Sequence, residues 1–174
     1  MTLQGLIWNC RGLKKKGVST FLKDLILEHQ FHFVGLQETM IANCDDSLLR
    51  KFDPSQEFLW MWNPSKGKSG GILVGVRIEL YDVGTFKQGE YMLQLNLWDK
   101  TNKIKWNLLI VYGAAQEENK VAFLTELSRF CSSNSEPLLI GGDFNIIRYA
   151  NEKTLWMVYI DLQTYSILSF NSMS

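Results

Sequence analysis

Apolar residues recur at strand or helix spacing along most of the chain, and the spacing changes from one to the other in a readable order. The run at Leu6, Ile7 and Trp8 predicts a strand over 3–8. A polar loop over 9–17 follows, carrying Arg11 and the lysines Lys14, Lys15 and Lys16. Phe21, Leu22, Leu25, Ile26 and His29 then recur at helical spacing, with Ser19 or Thr20 placed to cap the helix. That stripe reads as core, not as a binding face. A second strand over 31–37 ends at Glu38, so the chain opens with a βαβ-like unit.

From 58 to 112 the β-propensity is nearly continuous, with strand candidates over 58–62, 71–77, 80–86, 91–97 and 104–112. Short connections such as 99–102 suggest an antiparallel meander. A helix over 117–132 would place Val121, Leu124, Leu127 and Cys131 on one side, with Glu117 and Glu118 at its positive end. The pattern as a whole predicts a layered α/β or α+β domain without linker, repeat or low-complexity segment.

The most informative run is Leu138-Leu139-Ile140-Gly141-Gly142-Asp143-Phe144-Asn145, where a short apolar strand delivers a carboxylate and a carboxamide just beyond two glycines. In extended backbone Asp143 and Asn145 would share a face while Phe144 points back into the core. Gly141 and Gly142 would permit a sharp turn or a close approach to a ligand. An Asx turn closing a strand explains the same residues equally well. Three further polar residues stand where strands should end: Asn9, Glu38 and Tyr112.

Composition narrows the partners. Eighteen basic residues balance eighteen acidic ones, so no global field draws the chain to nucleic acid or to a membrane, and any phosphate affinity must be local. Cys10, Cys44 and Cys131 lack metal-ligand spacing and read as structural thiols of a reducing compartment. There is no signal-peptide pattern at the start and no apolar run near the ~20 residues that span a bilayer. The expectation is a soluble intracellular protein, nuclear if it acts on DNA. Gly67-Lys68-Ser69 hints at a phosphate loop, but Trp62 stands where its first glycine is required. Trp60, Trp62, Trp98, Trp106 and Trp156 could stack on bases, although tryptophans in strands are usually half-buried core.

The blocks Trp8-Asn9-Cys10-Arg11-Gly12-Leu13, Gln37-Glu38-Thr39, Ser69-Gly70-Gly71-Ile72, Val111-Tyr112-Gly113 and Gly141-Gly142-Asp143-Phe144-Asn145 follow one another in family order. With them the chain resembles the endonuclease/exonuclease/phosphatase superfamily, which includes apurinic endonucleases and deoxyribonuclease I. Within it the likeness is greatest to the endonuclease domain of LINE-type non-LTR retrotransposons. The resemblance implies a deoxyribonuclease I-like β-sandwich flanked by helices, with a partial domain over 1–153 and a divergent tail over 154–174. It also implies that Glu38 ligates Mg²⁺ or Mn²⁺ with Asn9 beside it. Asp143 would orient or deprotonate water, Asn145 would hold a phosphate oxygen, and Tyr112 would offer its O–H to the same group. The implied reaction is hydrolysis of a DNA phosphodiester, with weak or non-specific DNA binding.

The superfamily's C-terminal Ser-Asp-His block has no counterpart here, nor has the aspartate or asparagine upstream of it. The only histidines, His29 and His32, fall on the first helix and the second strand. The expectation is therefore a truncated domain with activity lost or severely impaired. Rival readings are a phosphatase of the same superfamily and a non-enzymatic remnant of a decayed mobile element. An apolar edge at 3–8 would stand open unless the tail from Leu155 covers it.

Overall fold

The computed structural model describes residues 3–66, 70–146, 157–161 and 166–170, the last two segments as strand backbone. Its elements are β1 (Gln4–Asn9), α1 (Val18–His29), β2 (Phe33–Gln37), a short α2 (Asp46–Leu49), β3 (Phe58–Asn63), β4 (Ile72–Arg77), β5 (Tyr81–Gln88), β6 (Met92–Asp99), β7 (Ile104–Tyr112), α3 (Lys120–Ser132), β8 (Leu138–Asp143), β9 (Met157–Asp161) and β10 (Ser166–Phe170). They form two mixed sheets, in the order β10-β9-β1-β2-β4-β3 and β5-β6-β7-β8.

Alternation within single strands builds the layers. In β1, Leu6 packs with Leu22 and Ile26 of α1, while its neighbour Ile7 faces the second sheet. In β7, Leu108 and Ile110 face the first sheet, while Leu109 and Val111 meet Phe123 and Phe130 of α3. Strands buried on both faces lose the polar alternation of an exposed sheet, which is why these runs look continuously apolar. The result is helix, sheet, sheet, helix, the layered α/β sandwich that the pattern predicts.

The strands over 58–112 are not one meander. β3 and β4 belong to the first sheet and β5, β6 and β7 to the second, with the chain changing sheets over 78–80. The physical reason is that β4 already has β2 on one edge and β3 on the other, so β5 finds no free edge beside it. Arg77 anchors the crossing: it is buried, its Nε donates to the Phe31 carbonyl at 3.0 Å, and its guanidinium pairs with Glu57.

Both long helices differ in detail from expectation. α1 begins after Gly17 with no side-chain cap, and the Ser19 hydroxyl donates instead to the Leu13 carbonyl at 3.1 Å, closing the preceding loop. Of its expected stripe, Leu22 and Ile26 are buried, whereas Phe21 is 47% exposed and lies edge-on to Trp8. In α3 the buried residues are Phe123 and Phe130, with Leu127 packed beside them. Val121 and Leu124, expected on one side with Leu127, are 75% and 47% exposed. The two phenylalanines bring the larger apolar area, and burying them turns the helix away from the aliphatic face.

The tail over 154–174 contributes backbone to the first sheet. β9 pairs antiparallel with β1, Gln4 opposite Asp161 through Trp8 opposite Met157, and so occupies the edge of β1 that could have stood open. Arg148 and Glu152-Lys153, which resemble the family's continuation after its last block, lie outside the described residues, as do Trp156 and the Gly67-Lys68-Ser69 loop. Trp60 and Trp106 are buried core, and Cys10, Cys44 and Cys131 are free thiols. Among the described residues no helix is long and apolar enough to cross a membrane.

The rotated face of α3 is open to a direct check. Phe123→Ala should cost about 3–5 kcal/mol of unfolding free energy, and Val121→Ala should stay within about 0.5 kcal/mol. Urea unfolding measures both; comparable losses would return Val121 to the core.

Candidate active site

Parallel pairing decides which residues meet. β1 and β2 run parallel with Asn9 opposite Gln37, so Asn9 and Glu38 leave the first sheet at the same end. β7 and β8 run parallel with Tyr112 opposite Asp143, so these two leave the second sheet together. The two pairs converge: Asn9 Nδ2 donates to Asp143 Oδ2 at 2.9 Å, across the sandwich from one sheet to the other. Asn9 Oδ1 accepts from the Arg11 backbone N–H at 3.3 Å, which fixes the carboxamide's orientation.

Asp143 is held from its other side as well, since the Asn145 backbone N–H donates to its Oδ1 at 3.0 Å. Asn145 does not extend the strand. β8 ends at Asp143, Asn145 takes a left-handed backbone (φ 51°), and its Nδ2 donates to the Gly113 carbonyl at 2.8 Å. Simple alternation from Asp143 to Asn145 therefore does not hold, and an Asx-type turn brings the carboxamide to the rim. Phe144 does pack inward, edge-on to Phe123 with centroids 6.3 Å apart.

The two glycines before Asp143 neither turn the chain nor open space for a ligand. A Cβ on Gly141 would stand 2.1 Å from Ile7 Cδ1 of the opposite sheet, so that glycine sets how closely the sheets pack beneath the rim. Gly142 lies against β7, where a Cβ would meet the Val111 carbonyl oxygen at 1.9 Å, and its φ of 144° disfavours any side chain.

Glu38 is half-buried and carries positive φ, 52°, unusual for a glutamate. The segment after it is tied down by Thr39 N–H to the Gly71 carbonyl (3.2 Å) and by Met40 N–H to the Gly70 carbonyl (3.0 Å). Among the described residues its carboxylate makes no hydrogen bond or ion pair. Left-handed backbone at Arg11, Glu38 and Asn145 concentrates strain at this rim, as functional sites commonly do.

Tyr112 reports the electrostatics. Burial pushes its phenol up to about 12, the negative charges of Glu38 and Asp143 push the same way, and Arg11 opposes them. One phenol thus feels two carboxylates and a guanidinium. The sequence places Arg11 in a polar loop and in the first of the resembling blocks but gives it no role at the site. Burial raises the Cys10 thiol to about 11, and Cys10 Sγ donates to the Gln37 carbonyl at 3.4 Å, marking it as an inert neighbour.

Among the described residues no three histidine, cysteine, aspartate or glutamate side chains gather as a metal cluster. The donor set at the rim is nonetheless all oxygen, with Glu38 uncommitted and Asp143 held by two donors. That suits a hard divalent cation that takes one or two carboxylates and keeps most of its waters. His29 sits on α1, and His32 immediately precedes β2, about 20 Å of extended chain from Glu38 at ~3.3 Å per residue. Neither reaches the rim, and burial and Arg77 hold the His32 imidazole below its ordinary range.

A two-sheet sandwich whose strand ends carry this polar rim defines a class, and comparison identifies it. Residues 6–163 match the Endonuclease/Exonuclease/phosphatase family, and the chain belongs to that family. Its fold is similar to that of the human Nocturnin catalytic domain, solved with bound sulfate (TM-score 0.62, 15% identity, covering 84% of this chain and 65% of that one). It is likewise similar to TDP2 from C. elegans (0.58, 18%, 84% and 49%) and to ANGEL2, a 2',3'-cyclic phosphatase in complex with adenosine-2',3'-vanadate (0.63, 12%, 85% and 55%). The chain thus spans about half to two thirds of these structures. No curated protein matches it in sequence.

The raised phenol has a pH signature. The folded state keeps the Tyr112 proton while the unfolded chain releases it near the ordinary ~10. This contribution to stability is complete below pH ~10 and declines as pH rises toward about 12. A tyrosinate absorbance titration should show a late-titrating component that Tyr112→Phe removes. If the substituted protein keeps that component, the assignment to Tyr112 is wrong.

Proposed function

We propose that this chain is a divalent-metal-dependent phosphodiesterase domain of the LINE endonuclease kind, directed at DNA. We further propose that the 174 residues by themselves turn over little or no substrate. The observation that carries the reading is the Asn9–Asp143 hydrogen bond, because it assembles one polar rim from the ends of two different sheets. Asn9, Glu38, Tyr112, Asp143 and Asn145, which come from the sequence blocks that resemble LINE-type endonucleases, stand at strand ends on that side, and Gly70 and Gly71 of a further block hold the segment after Glu38.

Mg²⁺ or Mn²⁺ would be held by Glu38, with Asn9 beside it, and when bound supplies Lewis-acid polarisation of a phosphate oxygen. Asp143, kept in one orientation by Asn9 and Asn145, accepts a proton from the attacking water. Tyr112 stays protonated at neutral pH and donates to a phosphate oxygen as negative charge grows there. Asn145, with one amide hydrogen committed to Gly113, has the other for the same phosphate. What the rim lacks is a histidine to serve the leaving group. One general acid is worth ~10²–10⁴-fold, and groups that act as one unit fail together. Action on DNA would place the protein in the nucleus.

Two measurements on the purified chain test this. Calorimetry with Mg²⁺ and Mn²⁺ should give a binding signal that Glu38→Ala abolishes. Supercoiled plasmid should stay intact at the level of the Asp143→Ala control. Nicking by the unsubstituted chain that vanishes in both variants would overturn the proposed inactivity. Release of inorganic phosphate from a small ester without nicking would replace the nuclease reading with a phosphatase. A folded chain that binds neither metal nor DNA at low salt would leave only a non-enzymatic remnant.

A further inference from the structure

The backbone that carries Glu38 is shaped by the loop before β4. β2 and β4 pair antiparallel as far as Gln37 opposite Ile72. Beyond that pair the ladder steps by one residue, since Thr39 N–H donates to the Gly71 carbonyl (3.2 Å) and Met40 N–H to the Gly70 carbonyl (3.0 Å). Glu38 is the extra residue, and its φ of 52° makes the step a bulge with left-handed backbone, of the kind that re-aims a side chain beside a site. We propose that Gly71 is a positioning residue for Glu38: its missing side chain gives Thr39 the seat that holds this bulge and so fixes where the Glu38 carboxylate stands at the rim. That the carboxylate then holds a metal rests on the function proposed above, whereas the bulge does not.

The seat is tight. A Cβ on Gly71 would stand 2.5 Å from Thr39 Oγ1 and 3.3 Å from the Ser65 backbone nitrogen. Thr39 is fully buried, and a β-branched side chain is stiff about its first bond. Among the described residues its Oγ1 has no hydrogen-bond partner, so Thr39 acts here through shape and backbone. That backbone is gripped from the other side too, where Leu13 N–H donates to the Thr39 carbonyl at 2.9 Å. Cys10 N–H donates to the Gln37 carbonyl (3.0 Å) and Ser65 N–H to the Ile41 carbonyl (2.9 Å), so the chain is fastened before and after Glu38. A carboxylate without a side-chain partner among the described residues takes its place from such a backbone.

Gly70 supplies the contrast. It shares the positive φ, 79° against 88° at Gly71, but the nearest atom to a Cβ there would be Tyr112 Cε1 at 3.9 Å, an ordinary contact. The two glycines therefore separate the cost of left-handed backbone from the seat for Thr39.

The test uses the whole chain, with Mn²⁺ as the metal and nuclear magnetic resonance of the Glu38 backbone. In the unsubstituted protein the Glu38 couplings and Cα shift should report left-handed backbone; extended backbone there would overturn the proposal. Gly71→Ala should abolish that signature and weaken Mn²⁺ binding about tenfold or more. Gly70→Ala, which carries the same backbone strain without the overlap, should keep both, and thermal melting compares the stability of the two variants. A Gly71→Ala protein that loses stability alone, with the Glu38 signature and Mn²⁺ affinity kept, would overturn the positioning role. Glu38→Asp shortens the side chain by one methylene, and on a fixed bulge it should weaken Mn²⁺ binding as well. Unchanged affinity in that variant would show that the backbone gives, and would overturn the proposal even where Gly71→Ala does not fold. No Mn²⁺ binding by the unsubstituted protein, with the Glu38 signature lost in Gly71→Ala and kept in Gly70→Ala, would sink the function above and leave the positioning role standing.

Discussion

The close contact of the two sheets at Gly141 and Ile7 is the constraint on which the site depends. A Cβ at 141 would overlap the tip of the Ile7 side chain, which reaches across from β1, the strand that ends at Asn9. A similar contact lies at Gly35, where a Cβ would stand 2.6 Å from Ile110 Cδ1. Sheets packed face to face ordinarily stand ≈ 10 Å apart, and at both glycines a side chain of the opposite sheet fills the space that a Cβ would take. Above this packing a carboxamide at the end of one sheet reaches a carboxylate at the end of the other.

Strand direction does the remaining selection. Parallel pairs place the C-terminal ends of both strands on one side, and each sheet contributes one such pair, β1 with β2 and β7 with β8. Ligands in α/β folds collect at such ends because the loops there are free to vary while the strands hold them fixed. The local strain at Arg11, Glu38 and Asn145 and the upward push on Tyr112 are the electrostatic and conformational consequences of drawing these loops together.

Much of the layered fold could be read from periodicity. Strand and helix runs alternate in the order in which the layers are filled, and Phe144, Leu22 and Ile26 turn inward as their spacing requires. What periodicity could not supply was pairing. A run of β-formers says nothing about which edge is already occupied, so the division of 58–112 between two sheets was invisible. Nor does helical spacing rank two apolar faces of one helix; the size of Phe123 and Phe130 did that once a sheet lay beneath them.

The site divides in the same way. The residue types at Asn9, Glu38, Tyr112, Asp143 and Asn145 and their places at strand ends were set by sequence alone, because apolar runs that stop at polar residues mark where a sheet meets solvent. That Asn9 grips Asp143, that Asn145 reaches the rim by a turn and that the charge of Arg11 bears on Tyr112 were decided only by tertiary structure. These contacts join residues from different strands and loops, most of them far apart along the chain. Local propensity has no information about such pairs until the two sheets close on each other.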